Sequence, residues 1–432
     1  MRHQEVASRG QQSLSNWTLQ PVDEAEDERS TTTAGTAIVH KTNPTRFTYT
    51  FPSSLVNGIP HPGWITQANW ELQRKLIKFR PSDIFISTFS KCGTTLAEQI
   101  VLLLLNGGKA EELNPLHKNT LDNSTNTNTN KRSIGKIWTE MAVVDGLLEH
   151  EQQQGEQQED AASTKKACMG EDKARMTLSQ FNALPEPRVL KTHAPPSLFL
   201  DSTEKIAKVL YVTRNPFDAC VSCYYHPKVG VSPASCGMDF DAFCKLWLSS
   251  KVEFGGWIDH TKGWREEYLN SSTSNNHRSN NILWMSYEEL VNEPVEAVTK
   301  IANFIDVDTT TDPSLVTRVV EGSRFDNVKK AAQSILKSGA EGHIDHLRKG
   351  KIGDWRSHFS DELFVEFENE IRQQLNGDRE EEGDAPLDLE YDIGGVKWQT
   401  ALKAVHDEEK EGGEAVVDEF IENQGGLETV SP

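Results

Sequence analysis

The sequence predicts an α/β fold in which helices cover both faces of a central parallel sheet. Four short, largely apolar runs read as strands: DIFIST (83–88), RVLKTH (188–193), KVLYVT (208–213) and NILWMS (281–286). Strands of a parallel sheet are buried on both faces and therefore appear as continuous apolar runs rather than as alternating patterns. Because helical patterns separate these runs along the chain, βαβ units are the favoured arrangement.

The segments between and after these strands carry the spacing of apolar residues that is typical of helices. The helix after KVLYVT begins at Pro216, which suits a first helical turn because its missing N–H would have no partner there. The other predicted helices span residues 64–80, 94–105, 239–253, 256–269, 295–305 and 361–375.

Composition separates an ordered domain from polar segments in this chain of 432 residues. We expect residues 1–60 to be a disordered N-terminal extension, because they are mostly polar and lack periodicity. The ordered domain is expected over 64–375, interrupted at about 110–180 by an insertion with low-complexity runs such as NTLDNSTNTNTNK. A short helix is expected near 137–150 inside this insertion.

The net charge of −20 is concentrated at the end of the chain. Residues 378–432 form an acidic tail with 17 acidic and four basic residues. An acidic chain argues against general nucleic-acid binding, and the lack of an apolar run of membrane-spanning length argues against a membrane span. Six cysteines without a secretory signal indicate reduced thiols and a cytoplasmic location.

The stretch STFSKCGTT, directly after the first strand, has the features of an anion-binding loop. A helix begins near Thr94, so its N-terminal N–H groups and dipole favour a negative charge. Gly93 allows close approach of the backbone, Lys91 adds an ammonium, and Thr94 and Thr95 add hydroxyl donors. An ordinary βα turn with a capping Thr is the alternative. An ATP or GTP P-loop is disfavoured because its first glycine and its G-K-S/T order are missing.

Four further stretches place polar or charged residues at or after strand ends. These are Lys191 and His193 in RVLKTHAPPSLF, Arg214 and Ser222 in YVTRNPFDACVSCYYH, Tyr287 in LWMSYEELVNEP, and Arg348, Lys349 and Gly350 in LRKGKIGDWRSHF. Together with the loop, they resemble, in order, the motifs of the cytosolic (soluble) PAPS-dependent sulfotransferase family. The resemblance covers roughly residues 75–110 and 185–375.

This resemblance implies a three-layer, P-loop NTPase-like sulfotransferase fold and the donor 3′-phosphoadenylyl sulfate (PAPS), with PAP as product and no metal. The loop residues Lys91, Cys92, Gly93, Thr94 and Thr95 would hold the 5′-phosphosulfate. The remaining donor-binding residues fall into two groups. The 3′-phosphate group is Arg214, Ser222, Arg348, Lys349 and Gly350, and the adenine group is Tyr287, Ser323 and Phe325.

The same resemblance implies the catalytic residues. His193 would act as general base toward a hydroxyl or amine of a small-molecule acceptor, since an unperturbed imidazole has a pKa near 6.5. Lys91 and Lys191 would stabilise charge on the transferred group and the leaving oxygen. His260 would lie in the acceptor pocket. Taken singly, these residues allow plainer interpretations; Arg214, for example, suits a surface salt bridge with Asp218.

Several positions depart from the family pattern. Cys92 replaces a serine, and Leu96 replaces the tryptophan that stacks on adenine in the family. The segment RSHFSDELFV (356–365) lacks the family dimer motif, so the familiar homodimer is doubtful. These departures leave open an alternative function, in which the chain is a catalytically weak regulatory protein that binds PAPS or PAP.

Overall fold

A central sheet of five parallel strands organises this computed structural model. Its strands are β6 (Ile84–Ser87), β7 (Ile137–Trp138), β8 (Val189–Thr192), β9 (Lys208–Thr213) and β10 (Ile282–Ser286). They lie in the order β10-β9-β6-β8-β7, with β6 at the centre between β8 and β9. The structure describes residues 12–21, 36–42, 45–49, 54–63, 65–110, 137–138, 181–184, 186–199, 207–226, 232–273, 281–337 and 348–376.

In the described part of the chain, helices lie at seven positions that the sequence predicts and at four further positions that it did not predict. The described helices are α1 (Gln67–Leu76), α2 (Thr94–Leu105), α3 (Pro196–Phe199), α4 (Pro216–Tyr224), α5 (Phe240–Leu248), α6 (Trp257–Thr273), α7 (Tyr287–Asn292), α8 (Pro294–Phe304), α9 (Leu315–Ser323), α10 (Phe325–Lys337) and α11 (Asp361–Asn376). The start of α4 is fixed by Asn215, whose side chain accepts from two N–H groups of the first turn.

Side chains of successive strand residues lie on opposite faces of the sheet. Ile86 and Leu210 belong to the apolar core that includes α2, α8 and α9. On the opposite face, Tyr211 stacks on Trp264 of α6 at a ring-centroid distance of 5.6 Å. The α/β prediction is therefore confirmed, with helical layers on both faces of a parallel sheet.

The N-terminal region differs from the prediction of disorder over residues 1–60. Its described residues form an antiparallel sheet and a hairpin, because Trp17 and Ile38 are buried and anchor their strands. The strands are β1 (Trp17–Pro21), β2 (Thr36–His40), β3 (Arg46–Tyr49), β4 (Ser54–Val56) and β5 (Ile59–His61).

Two further predictions fall partly or wholly outside the described residues. Within the insertion predicted at 110–180, Ile137–Trp138 is an edge strand that pairs in parallel with β8, so the helix predicted near 137–150 does not begin there. The acidic tail lies outside the described residues. Among the described helices, none is both long and apolar enough to cross a membrane.

Candidate active site

The candidate site lies at the carboxyl edge of the sheet, where four strands end next to residues that the sequence singled out. The anion-binding loop follows β6, His193 directly follows β8, Arg214 directly follows β9, and Tyr287 directly follows β10. Ligands of open α/β sheets bind beyond this edge. The topology therefore gathers residues that are far apart in the chain.

The loop between β6 and α2 has the backbone geometry of an anion cradle. Lys91 has a φ of 67° and Gly93 a φ of 106°, and Gly93 is the N-cap of α2. A side chain at Gly93 would place its Cβ 2.8 Å from Cδ2 of Tyr287, so glycine is required there. Thr94 and Thr95 open α2, whose first N–H groups favour an anion.

His193 is oriented by Thr88, next to the loop. Nδ1 of His193 lies 2.7 Å from the carbonyl oxygen of Thr88 and 3.2 Å from its Oγ1. A carbonyl oxygen only accepts hydrogen bonds, so Nδ1 carries the proton and Nε2 carries the lone pair. This is the tautomer in which Nε2 can take a proton from an acceptor.

Burial changes the acidity of His193. Burial lowers the pKa of His193 from 6.5 to about 3. The hydrogen bond to the backbone of Thr88 raises this pKa, whereas the charges of Lys191, His260 and Lys91 lower it further. The ordinary pKa near 6.5 that the sequence led us to use is therefore wrong for this residue. His193 is neutral at neutral pH.

The two lysines have different surroundings. Lys91 is half-buried in the loop, and its Nζ lies 3.4 Å from Nδ1 of His226. Nζ of Lys191 lies 3.3 Å from Oε2 of Glu98 on α2, and both side chains of that pair are 2% exposed. Glu98 therefore supplies a buried counter-charge to Lys191, two residues before His193.

Arg214 joins the loop to the segment that contains the RKGKIGDW motif. Its Nη1 donates to the carbonyl of Lys91 at 3.1 Å, and its Nη2 donates to the carbonyl of Lys351 at 3.2 Å. The guanidinium carbon lies 4.4 Å from the ring centroid of Tyr287. Asp218 is 4.0 Å away but both side chains are buried, so the interpretation as a surface salt bridge is wrong.

A second cationic group surrounds Asp354. Its carboxylate pairs with Arg348 at 2.6 Å and with Lys349 at 2.5 Å, which holds the pKa of Asp354 below its usual value although its burial opposes this. Gly350 has a φ of 63°, and a Cβ there would collide with the ring of Phe325. Arg348, Lys349, Gly350 and Phe325 therefore lie in one region of the structure.

The other predicted site residues are less accessible or make local bonds. Ser222 is half-buried on α4, and Ser323 donates to the carbonyl of Val320 at 3.1 Å. Cys92 is fully buried, and burial raises the pKa of its thiol well above the usual value. His260 is buried with Nδ1 3.1 Å from the Tyr211 hydroxyl. Leu96 packs against the apolar core.

Sequence reasoning missed the roles of five polar residues that shape the site. Asp218 accepts the N–H groups of Gly353 and Trp355 at 2.7 and 3.0 Å and so fixes the loop that carries Asp354. Glu288 accepts the N–H of Asn215 at 3.1 Å, and burial raises its pKa to about 7. Asp218, Glu288 and Asp354 lay inside the quoted motifs, whereas nothing in the sequence pointed to Glu98. The fifth is Thr88, at the end of the predicted first strand.

These features define a class of protein: an α/β protein with a glycine-capped loop after its central strand and a separate group of cations joined to that loop through Arg214. A sequence model of the sulfotransferase domain matches residues 81–379. The chain belongs to the sulfotransferase family. It is thus an enzyme of the class that transfers sulfuryl groups.

Individual relatives agree with this assignment. Sulfotransferase 2B1 of Mus musculus is 28% identical over 329 residues, covering 74% of this chain and 79% of the relative. Sulfotransferase 1 family member D1 of Mus musculus is 26% identical over 337 residues, covering 74% and 92%. Retinol dehydratase, solved in a complex with retinol and PAP, has a TM-score of 0.50 and 18% identity, covering 86% of this chain and 99% of that chain. That last likeness shows the fold.

Proposed function

We propose that this sulfotransferase takes its sulfuryl group from PAPS and transfers it to a hydroxyl or amine of a small molecule. The observation that carries the proposal is that Arg214 links two groups suited to binding anions. Arg214 donates to the loop carbonyl of Lys91 and to Lys351, beside the cations Arg348 and Lys349. A donor with phosphate on both sides of its adenosine needs two such sites, whereas ATP needs one longer loop.

The binding roles follow from this arrangement. The loop from Lys91 to Thr95 receives the 5′-phosphosulfate. Arg214, Arg348 and Lys349 receive the 3′-phosphate, where guanidinium groups can make paired charge-assisted bonds. Tyr287 and Phe325 contact the adenine. The relative retinol dehydratase was solved with PAP and retinol, which supports both the nucleotide and a small apolar acceptor.

The transfer itself is an in-line displacement at sulfur. The acceptor oxygen or nitrogen forms a bond to sulfur while the bond from sulfur to the bridging phosphate oxygen breaks, and PAP leaves with the electron pair. Nε2 of His193 takes the acceptor proton. Lys91 and Lys191 stabilise the negative charge that develops, so the protein contributes positioning and electrostatics.

Binding of PAP and sulfuryl transfer test the proposal separately. Calorimetry should show that PAP binds at least about tenfold more tightly than AMP, and that Arg214→Ala removes this preference. Labelled PAPS with a panel of phenols, alcohols and amines should give a sulfated product. Equal binding of PAP and AMP, with no change in Arg214→Ala, would contradict the proposed donor.

The alternative function as a PAPS- or PAP-binding regulator is favoured by one contact. The ammonium of Lys191 is bonded to buried Glu98, which reduces the positive charge it offers to the transferred group. This alternative predicts tight PAP binding without product for any acceptor. Transfer to one acceptor, lost in His193→Ala, would exclude it.

Four accompanying predictions remain to be tested. We propose cytoplasmic location, transfer without a metal, no binding to nucleic acid or membranes, and no homodimer of the familiar kind. Activity should persist in excess EDTA, and light scattering should give the monomer mass.

A further inference from the structure

Three side chains form a buried hydrogen-bonded chain beneath the candidate donor site. His193 Nδ1 lies 3.2 Å from Thr88 Oγ1, and Thr88 Oγ1 lies 2.6 Å from Thr94 Oγ1. Thr88 is fully buried, and both ends of the chain are nearly so. The chain therefore connects the first residue of α2 to the proposed general base.

The histidine end of this chain has a defined direction. Nδ1 of His193 must carry a proton, because its nearest partner, 2.7 Å away, is the carbonyl oxygen of Thr88. Toward Nδ1, Thr88 Oγ1 can then only accept. Between Thr88 Oγ1 and Thr94 Oγ1, either hydroxyl can be the donor. When Thr88 donates, the hydrogen of Thr94 is available to a third atom, and this is the arrangement that an anionic ligand on Thr94 would select.

We propose that Thr88 is a positioning residue that couples occupancy of the donor site to the orientation of the base. Its hydroxyl turns Thr94 toward a phosphate or sulfate oxygen, and its hydroxyl and carbonyl together hold Nδ1–H of His193, with Nε2 as the proton acceptor. An anion on Thr94 polarises the whole chain, because hydrogen bonds in a low-dielectric interior strengthen one another. This inference rests on the proposed function.

The surroundings fix the positions of Thr88 and His193. The N–H of Thr88 donates to the carbonyl of Thr192 at 3.3 Å, which sets Thr88 beside His193 across neighbouring strands. The ring of Phe254 meets the His193 ring at 4.9 Å and 60° on another side. Lys191, Lys91 and His260 are the charged or titratable groups that act on His193, and they disfavour its imidazolium.

Thr88→Val and Thr88→Ser form a matched pair for the test. Valine keeps the shape and the backbone carbonyl but removes the hydroxyl, whereas serine keeps the hydroxyl. For Thr88→Val, we expect PAP affinity to fall about three- to tenfold, as for loss of one hydrogen bond, and kcat to fall about tenfold or more at saturating PAPS and acceptor. Thr88→Ser should stay within about twofold of the wild type for both.

A spectroscopic readout separates coupling from simple loss of structure. In protein labelled with ¹⁵N-histidine, the His193 signals, assigned with His193→Gln, should show the Nδ1–H tautomer. PAP should move the Nδ1 signal in the wild type and in Thr88→Ser, and this response should vanish in Thr88→Val. A Thr88→Val protein that retains the response, or behaves as Thr88→Ser does in kcat and affinity, would overturn the coupling.

If Thr88→Val fails to fold, the His193 Nδ1 signal of the wild-type protein tests the coupling alone. PAP that binds without moving the Nδ1 signal, or a histidine with the proton on Nε2, would refute the inference while leaving the proposed function intact. Failure of PAP to bind at all would instead refute the proposed function and the coupling with it.

Discussion

At the scale of single residues, the burial of His193 predicts how the reaction depends on pH. Since its pKa is lowered to about 3, the acid limb of kcat/KM for the acceptor should lie well below pH 6, where an ordinary histidine would begin to lose activity. His193→Ala should lower kcat by about 10² to 10⁴. Initial rates from pH 4.5 to 8 check both expectations, with PAP calorimetry as the control for binding. An acid limb centred near 6.5 would contradict the burial argument.

The buried pair of Glu98 and Lys191 predicts a stability effect that depends on both partners. Glu98→Gln leaves the ammonium of Lys191 buried without its counter-charge and should cost about 3–5 kcal/mol of unfolding free energy. In Glu98→Gln/Lys191→Met, no uncompensated charge remains, so most of this loss should be recovered. Urea unfolding of the single and double variants measures the coupling. Equal losses in the two proteins would show that the ion pair is not responsible.

At the scale of elements, the anion-binding loop predicts a position where alanine is not tolerated. Gly93→Ala combines an unfavourable φ of 106° with a Cβ only 2.8 Å from Tyr287. We expect it to weaken PAP binding by at least about tenfold and to cost about 1–3 kcal/mol in stability. Gly237→Ala is the matched control, since its φ is 74° and nothing lies within 4 Å of its Cβ. If both variants bind PAP equally well, the close contact at Gly93 is unimportant.

Helices could be predicted from the sequence where the local spacing of apolar residues agrees with burial in the folded structure. The helix predicted over 94–105 is α2, Thr94–Leu105, because an apolar run after a glycine N-cap fits a helix buried against a sheet. The helix predicted over 239–253 ends at Leu248, since Ser250 and Phe254 have φ values of 57° and 65° that a helix excludes. Those values arise from packing with distant residues; the N–H of Phe254, for instance, donates to Pro60.

The candidate site was predictable only in part for a similar reason. Sequence motifs identify residues that follow strands, such as His193 and Arg214, since chain order predicts strand ends. They do not reveal contacts across the sheet. The bond between Lys191 and Glu98 links positions 93 residues apart, and Thr88 faces His193 only because β6 and β8 are neighbours. Burial, and with it the lowered pKa of His193, likewise depends on the assembled layers.

At the scale of the whole molecule, buried neutral histidines predict sensitivity to acid. Burial lowers the pKa from 6.5 to about 4 for His61 and to about 3 for His193 and His260. Below pH 6.5 the unfolded chain therefore binds protons that the native state excludes, and stability falls as pH falls toward these native values. Glu288 opposes this, because its raised pKa of about 7 lets the native state hold a proton that the unfolded chain has lost above pH 4.5.

These three histidines outweigh Glu288, so together the four groups give a net difference of about two protons between pH 6 and 5. His358, whose pKa burial also lowers, acts in the same direction as the three histidines. Stability should then fall by about 2–3 kcal/mol across that interval, a large share of a typical 5–15 kcal/mol. Urea unfolding at a series of pH values measures the slope. His61→Leu removes one of the titrating groups and should flatten the slope by about half, whatever it does to stability at pH 8. A slope that His61→Leu leaves unchanged would mean that other groups govern acid unfolding.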